Sequence, residues 1–507
     1  MAAHLSPVGL PLRDRRVAVV GLGRSGVAAA VFCAARGATV IGCDDQDLAR
    51  VGRDGALAPL AEHAAVTLEL GGLREATLRG ADLIVLSPGV PPTRPALIAA
   101  RAAGVPILGE IELAARFLQA PIVGITGTNG KSTVTSLCGA IAAATGRPSF
   151  CGGNLGSPLI SAVDTPAGSA AGIVVCELSS FQLESTERLR CHAATILNLT
   201  PDHLDRHGTM TGYGDAKALI ARNLADDATL VLNGDDPELQ RLLQRMRRPP
   251  GVYFFSLLGP PPPQVLGGRA QVLGGYLDGE ELVLAGVEGG LAARMAGVAA
   301  PEERYPSGEL LLAGRHNLAN ALAAFLLMRA SGLASPQQVR RAAAAFRPLT
   351  HRMELVVEAD GVRYYDDSKG TNVDAVVAGV DGFPRPFVLI AGGRDKGGSY
   401  QPLCQALARS QVRGVVLIGE AAPLIEGALQ RDPPAAPVLR APTLEAAVAQ
   451  AHALCRAGDA VILSPACSSY DMFRDYAHRA EVFIAAAQRL PGARLLRPAA
   501  DAGGVHG

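Results

Sequence analysis

The sequence predicts an α/β protein of three domains: a Rossmann-like N-terminal domain, a central P-loop ATPase-like α/β domain and a Rossmann-like C-terminal domain. Three observations carry that prediction. Apolar runs of strand length alternate with helical stretches along most of the 507 residues. Two glycine-rich turns, GLGRSG at 21–26 and GTNGKST at 127–133, each stand between a strand pattern and a helix pattern. After a Pro- and Gly-rich interruption the alternation starts again near residue 348. A chain this long exceeds what one hydrophobic core serves, so the boundaries are read at 1–108, 109–347 and 348–507.

In the first segment, RRVAVVGLGRSGVAAAVFCAARGATVIGCDD reads as strand, glycine turn, helix, strand and acid, and ADLIVLSPGV adds a parallel strand ending in a Ser-Pro-Gly turn. The second opens with strand PIVGITG, the glycine loop and helix STVTSLCGAIAAATG, followed by strands GIVVCELSS and AATILNLT. FFSLLGPPPPQ and the Gly-rich stretch from about 265 to 312 read as an antiparallel flap or surface excursion; helix NLANALAAFLLMRASG closes the segment. In the third, VRYYDDSKGTN, PFVLIAGGRDKGG, GVVLIGE and DAVILSPACSS each feed an apolar run into a polar loop or helix. Doubly wound sheets bind ligands beyond such strand ends.

Composition narrows the function. The 47 basic residues balance 47 acidic ones, which leaves no field for nucleic acid or an anionic membrane surface, so any polyanion is held locally. The opening MAAHLSPVGLPLRDRR has no apolar core of signal-peptide length, and a cytoplasmic monomer with no membrane insertion is expected. Nine cysteines, without a C-x-x-C pair, read as reduced and mostly buried. Only four of the 47 basic residues are lysines: Lys131, Lys217, Lys369 and Lys396. Either they survive by chance on the surface, or each site needs a compact charge or a nitrogen that can lose its proton and react.

GLGRSG, with Asp44 and Asp45 after the next strand, fits a nicotinamide site, any nucleotide diphosphate at a helix N-terminus, or a turn with no ligand. GITGTNGKST lacks the glycine that usual P-loop spacing puts at Ile125, yet its strand-loop-helix context is that of a phosphate site. Gly127, Thr128, Asn129 and Gly130 form the loop whose N–H groups curl round phosphate oxygens. Lys131 neutralises the terminal phosphates, and Ser132 or Thr133 reaches Mg²⁺. Glu177 ends a strand predicted beside the P-loop strand, where an acid holds Mg²⁺ or its water. NLTPDHLDRHG puts Asn198, Asp202, His203 and Asp205 at another strand end, and His203 shares the Glu177 site if those two strands are neighbours. A histidine ligand suits a site that also tolerates Mn²⁺. Lys217 reads either as a solvated helix residue or as a buried, deprotonated amine that adds CO₂ to become a carbamate ligand.

Taken in order, GLGRSG, SPGV, GTNGKST, GGN (152–154), ELSSFQLE, NLTPDHLDRHG, AGRHNLAN, THRME, DDSKGTN, GGRDKG and SPACSSYDMF resemble the Mur ligases across nearly the whole chain. GLGxSG and SPACxSxDxF point to the D-glutamate-adding branch, and the short GxxGK[ST] loop is the family's usual form. The resemblance implies an ATP-dependent amide ligase adding D-glutamate to UDP-N-acetylmuramoyl-L-alanine through an acyl phosphate, in cytoplasmic peptidoglycan precursor synthesis. It places Ser25, Asp44 and Ser87 on the UDP part, Lys131, Ser132 and Thr133 on the ATP phosphates, and Asn317, Asn320, Arg352 and Asp367 on the nucleotide. Glu177, His203 and carbamylated Lys217 fall around two Mg²⁺ ions, with Ser132 beside them, and Asn154 and His203 on the sugar-peptide. Lys369, Thr371, Lys396, Ser469 and Tyr476 fall on D-glutamate, and C-terminal closure on ATP is expected to assemble the site. The departures are Tyr476 for phenylalanine, Gly370 for alanine, His207 for a frequent tyrosine, and a longer proline-rich region near 260.

Three other readings compete. Folylpolyglutamate synthetase, of the same superfamily, lacks a separate UDP-binding domain; a nicotinamide oxidoreductase leaves GTNGKST and the lysines unexplained; a P-loop ATPase acting as a structural or motor partner needs no amino acid.

Overall fold

The computed structural model describes residues 10–496 apart from 53–54, 247–250, 261–264, 267–268, 271, 288–300, 311–313, 348 and 382. The start of the N-terminal stretch, most of the proline run and the C-terminal tail lie outside the described residues.

Strands β1 (Arg16–Val20), β2 (Thr39–Asp44), β3 (Val66–Leu70), β4 (Leu83–Leu86) and β5 (Ile107–Gly109) form a parallel sheet in the order β3-β2-β1-β4-β5. The strand order reverses between β1 and β4, which opens a crevice at their carboxyl ends. Both ends carry a glycine turn. A Cβ at Gly26 would lie 1.8 Å from the Gly21 carbonyl oxygen, so the helix Arg24–Ala35 can dock on its own turn only because that residue is glycine.

The central sheet contains β6 (Ile122–Thr126), β7 (Ser149–Gly153), β8 (Ile173–Glu177), β9 (Ala193–Ile196), β10 (Thr229–Asn233) and β11 (Gly251–Ser256). A two-stranded hairpin of β12 (Val265–Leu266) and β13 (Arg269–Ala270) follows, and the sheet resumes with β14 (Val272–Asp278), β15 (Glu281–Leu284) and β16 (Glu303–Pro306). The order is β16-β15-β14-β11-β10-β9-β6-β8-β7. Of the two expected readings, the antiparallel pairing is present, and the surface excursion is corrected: the strands belong to the central sheet. β14 pairs with β11 in parallel, β15 and β16 add antiparallel strands, and Leu282, Leu284 and Tyr305 bury their side chains against the helix Arg315–Ala330. The same apolar cluster takes in Val134, Leu137 and Ile141 of the helix Lys131–Ala144, which anchors the phosphate loop to a rigid core.

The C-terminal sheet runs β21-β20-β19-β22-β18-β17-β23, from β17 (Glu354–Ala359), β18 (Val362–Asp366), β19 (Phe387–Gly392), β20 (Val412–Ile418), β21 (Val438–Arg440), β22 (Ala460–Leu463) and β23 (Arg494–Leu495). The sequence reading took β18 and missed its partner. ELVVEA and VRYYD are joined by Asp360-Gly361, whose φ values of 48° and 75° make the two-residue turn that favours Asp-Gly, and β17 pairs antiparallel with β18. The nine cysteines are all unpaired, seven of them buried. No helix among the described residues is long and apolar enough to cross a membrane.

Candidate active site

The phosphate loop is braced from the neighbouring strand. β9 pairs with β6, and beyond its end the Asn198 side-chain oxygen accepts from the N–H groups of Thr128 (3.1 Å) and Asn129 (2.8 Å), while its Nδ2 donates to the Asn129 carbonyl (3.0 Å). Asn198 was read only as a strand-end residue. Its signal was its position after a strand beside β6, but no spacing rule assigns that side chain to the loop. Gly130, at φ 83°, caps the helix; a Cβ there would meet Asn320 Oδ1 at 2.3 Å, so the backbone turn and the approach of the Arg315–Ala330 helix both require glycine. Lys131 Nζ donates to the carbonyls of Gly127 (2.9 Å) and Thr128 (2.7 Å), arching over the loop. Ser132 and Thr133 are buried in the first helical turn.

Glu177 and His203 do not come from neighbouring strands. β6 lies between β8 and β9, so the two residues flank the phosphate loop from either side. Glu177 is 2 % exposed and opposite Ile125 in register; its Oε1 accepts from Asn154 Nδ2 at 2.7 Å, and its Oε2 is buried with no hydrogen-bond partner. An orphaned carboxylate oxygen carries a desolvation cost that a bound cation would remove, and the oxygen-rich set fits a hard divalent ion. His203 holds a left-handed conformation (φ 53°), with Nε2 3.6 Å from Asp202 and the ring edge on Phe181. Burial lowers the imidazole pKa against the opposing pull of Asp202, with the Lys396, Lys131 and Lys217 cations adding to the lowering, and this favours the neutral, ligating form.

Lys217, in the helix Met210–Ala218, is 1 % exposed. Its Nζ donates to the Gly127 carbonyl at 2.7 Å and lies 4.5 Å from the centre of the Tyr213 ring. Burial first, and then the Lys131 cation, push its pKa well below the ordinary lysine value, with Asp202 and Glu177 pulling the other way. The solvated-helix reading of Lys217 is excluded by that burial.

A cavity of about 310 Å³ separates the central and C-terminal sheets and is lined by Asn129, Asn317, Asn320, Arg352 and Asp367 among others. Two hydrogen bonds cross beside it, from an Arg352 guanidinium nitrogen to Ser132 Oγ (3.3 Å) and from Asn372 Nδ2 to Asn129 Oδ1 (3.2 Å). Asp367 accepts from Ser464 Oγ (2.5 Å) and the Met353 N–H (3.3 Å), and burial raises its pKa to about 7. The glycine at 370 has a local cause. A Cβ there would fall 2.5 Å from Asp367 Oδ2, which occupies the space a methyl group would need.

On the far side of the cleft, Lys396 Nζ donates to Thr371 Oγ1 (3.3 Å), Ser469 is buried, and Lys369 Nζ lies 5.3 Å from the Tyr476 ring centre. Burial, reinforced by Arg352, lowers the Lys369 pKa to about 8. The fields of Lys396 and Lys217 act on Lys131 or its neighbours, and Lys131 acts on Lys369, so the four lysines share one region. Chance survival on the surface would have scattered them.

At the N-terminal crevice, Ser87 Oγ donates to the Gly21 carbonyl (2.6 Å), and the two Asp44 oxygens accept from the N–H groups of Leu22 (2.8 Å) and Gln46 (2.9 Å). Both side chains brace the glycine turn. Ser25 lies half-buried in the first turn of the helix, and Asp45 pairs with Arg94.

A phosphate loop, an orphaned carboxylate and a buried lysine, facing a second α/β layer across a nucleotide-sized cleft, define a multidomain enzyme that handles a nucleoside phosphate. The chain matches the family descriptions "Mur ligase MurD-like, N-terminal domain" over residues 15–109, "Mur ligase middle domain" over 125–328 and "Mur ligase, glutamate ligase domain" over 351–467. It is 42% identical to a UDP-N-acetylmuramoylalanine–D-glutamate ligase of Geotalea daltonii, over 95% of this chain and 99% of that one. It is 44% identical to the enzyme of the same name from Anaeromyxobacter dehalogenans, over 93% and 97%. Among solved structures, UDP-N-acetylmuramate-alanine ligase MurC from Thermotoga maritima shares the fold, with a TM-score of 0.55 at 19% identity over 94% of this chain and 99% of that one. The chain belongs to the Mur ligase family.

Proposed function

We propose that this protein is an ATP-dependent ligase that joins the amine of D-glutamate to the L-alanyl carboxylate of UDP-N-acetylmuramoyl-L-alanine, as a cytoplasmic monomer serving peptidoglycan precursor synthesis. The observation that supports it is the gathering of the phosphate loop, whose Asn129 and Gly130 line the cleft, and of Lys217 with the Lys369 and Lys396 cations in one region. In this reading residues 1–108 hold the UDP part, 109–347 the ATP and 348–507 the amino acid, in line with the three large sheets. Ser25 and the turn braced by Asp44 and Ser87 receive the UDP group; Asn317, Asn320, Arg352 and Asp367 line the nucleotide side; Asn154 and His203 face the sugar-peptide.

The chemistry begins with two anions. As the L-alanyl carboxylate oxygen attacks the γ-phosphorus, the P–O bond to ADP breaks and an acyl phosphate forms. Lys131 and the loop N–H groups receive the charge that builds on the transferring phosphoryl group. Two Mg²⁺ ions held by Ser132, Glu177, His203 and Lys217 would neutralise the rest. Burial favours the neutral Lys217 amine, which would add CO₂ with loss of one proton to give a carbamate, an anionic oxygen donor beside Glu177. Lys369 and Lys396 orient the two carboxylates of D-glutamate so that its amine displaces phosphate from the acyl carbon.

Phosphate release that requires ATP, UDP-N-acetylmuramoyl-L-alanine and D-glutamate together is the expected result of a substrate-panel assay. ATP hydrolysis indifferent to D-glutamate, or activity with a folate in place of the UDP-sugar peptide, overturns the proposal. The separate N-terminal sheet disfavours the folate reading. The lowered pKa of Lys369 adds a pH dependence. Below about 8 the ammonium is present and holds a carboxylate; above it the charge is lost. The KM for D-glutamate is expected to climb as pH rises through about 8, and a Lys369→Arg variant that binds should shift that climb to higher pH. A flat KM from pH 7 to 9.5 contradicts this.

A further inference from the structure

Arg479 is the bulkiest of the fully buried side chains among the described residues, at 0 % exposure, in the helix Tyr476–Gln488. Burying a guanidinium away from a carboxylate contact is costly unless its donors are met by fixed acceptors. Here backbone carbonyls meet two of them, while Nε is buried without a hydrogen-bond partner. Nη2 donates to the Ser368 carbonyl at 2.7 Å and Nη1 to the Cys467 carbonyl at 3.3 Å. A third loop closes on the same group, since a Cβ at Gly393 would stand 3.4 Å from Nη1 and 2.3 Å from the Ser468 carbonyl oxygen. That loop is stitched to the second by reciprocal backbone hydrogen bonds between Arg394 and Ser468 (2.9 and 3.0 Å).

The three loops are DDSKGTN, SPACSS and GGRDKG. Ser368 precedes Lys369, Cys467 lies two residues before Ser469, and Gly393 three before Lys396. Lys369 and Ser469 sit beyond the ends of β18 and β22, where the Ala466 N–H donates to the Gly370 carbonyl (2.9 Å) and Ser464 Oγ to Asp367 (2.5 Å); the planar guanidinium fork adds a second bridge, from the helix, to the carbonyls that flank Lys369 and Ser469. Burial lowers the Arg479 pKa to about 10, while Asp471, Asp366 and Asp367 counter the shift, so the fork stays charged at neutral pH.

We infer that Arg479 is a positioning residue for the amino-acid side of the reaction: by gripping the Ser368 and Cys467 carbonyls it sets the distance between the cations and hydroxyls that receive the dicarboxylate substrate. The inference rests on the proposed assignment of Lys369, Lys396 and Ser469 to that substrate.

The test uses the full chain with Arg479→Met, Arg479→Lys and, as a control on the assignment, Lys369→Met. For Arg479→Met the KM for D-glutamate is expected to rise about tenfold or more, with the KM values for ATP and the UDP-sugar peptide within about twofold. Arg479→Lys, whose ammonium holds one carbonyl but not both, should fall between Arg479→Met and the parent. If Arg479→Met does not fold, the same selective split is read on Arg479→Lys. A lowered melting temperature with unchanged KM values in the soluble variant, or an equal rise in all three KM values, overturns the inference. If Lys369→Met itself leaves the D-glutamate KM unchanged, the assignment fails, and the inference with it. If Lys369→Met raises that KM while the Arg479 variants do not, the inference alone fails.

Discussion

Lys217→Arg keeps a positive charge and is expected to lose about 10²–10³ in kcat, a loss on the scale of removing one charge-stabilising group from an active site. The cause is chemical rather than electrostatic. Lys217 is buried against Tyr213, with its amine on the Gly127 carbonyl and its pKa driven down by burial and by Lys131, so the parent side chain can be neutral. A guanidinium stays protonated, cannot add CO₂, and carries five donors into a space that offers one acceptor to a single nitrogen. Steady-state phosphate release checks this, and Lys217→Ala should regain part of the loss when a small carboxylate is added to stand in for the carbamate. Activity in the arginine variant equal to the parent removes the carbamate from the mechanism.

Lys131→Met is expected to lower kcat about 10³-fold while leaving the melting temperature nearly unchanged. Its Nζ bonds only backbone carbonyls of its own loop, so the methionine surrenders little packing. The loop itself keeps its shape, because Asn198 and Gly130 hold it independently of the lysine. What is removed, in the proposed reaction, is the compact cation that meets the terminal phosphates as two anions approach. Lys131→Arg is expected to recover little, since the arch over the Gly127 and Thr128 carbonyls fits a slim ammonium. A drop in kcat smaller than tenfold in Lys131→Met would mean that the loop N–H groups suffice.

Much of this molecule was legible residue by residue. GTNGKST between a strand and a helix marked the phosphate loop despite Ile125, and the loop has the conformation its glycines allow. The scarcity of lysine singled out four residues, and the structure brings all four into one region. Asn198 and Arg479 were not legible as site residues. One is a strand-end asparagine and the other lies mid-helix, and nothing local distinguishes either from a solvated neighbour. The stretch after the proline run was legible as antiparallel but not as part of the central sheet, because its glycines imitate a surface loop, whereas β14 to β16 extend that sheet.

The sequence by itself determined the periodicities, the positions where only glycine allows the turn, and which side chains could do chemistry, because these depend on a residue and its near neighbours in the chain. The tertiary structure alone decided that β6 lies between β8 and β9, so that Glu177 and the segment leading to His203 leave the sheet on opposite sides of the strand that feeds the phosphate loop. It also decided that Lys217 is buried, which disfavours its charged form, and that one guanidinium spans two loops from distant parts of the chain. Strand order and burial are set by packing between segments far apart in sequence, and no local pattern encodes them.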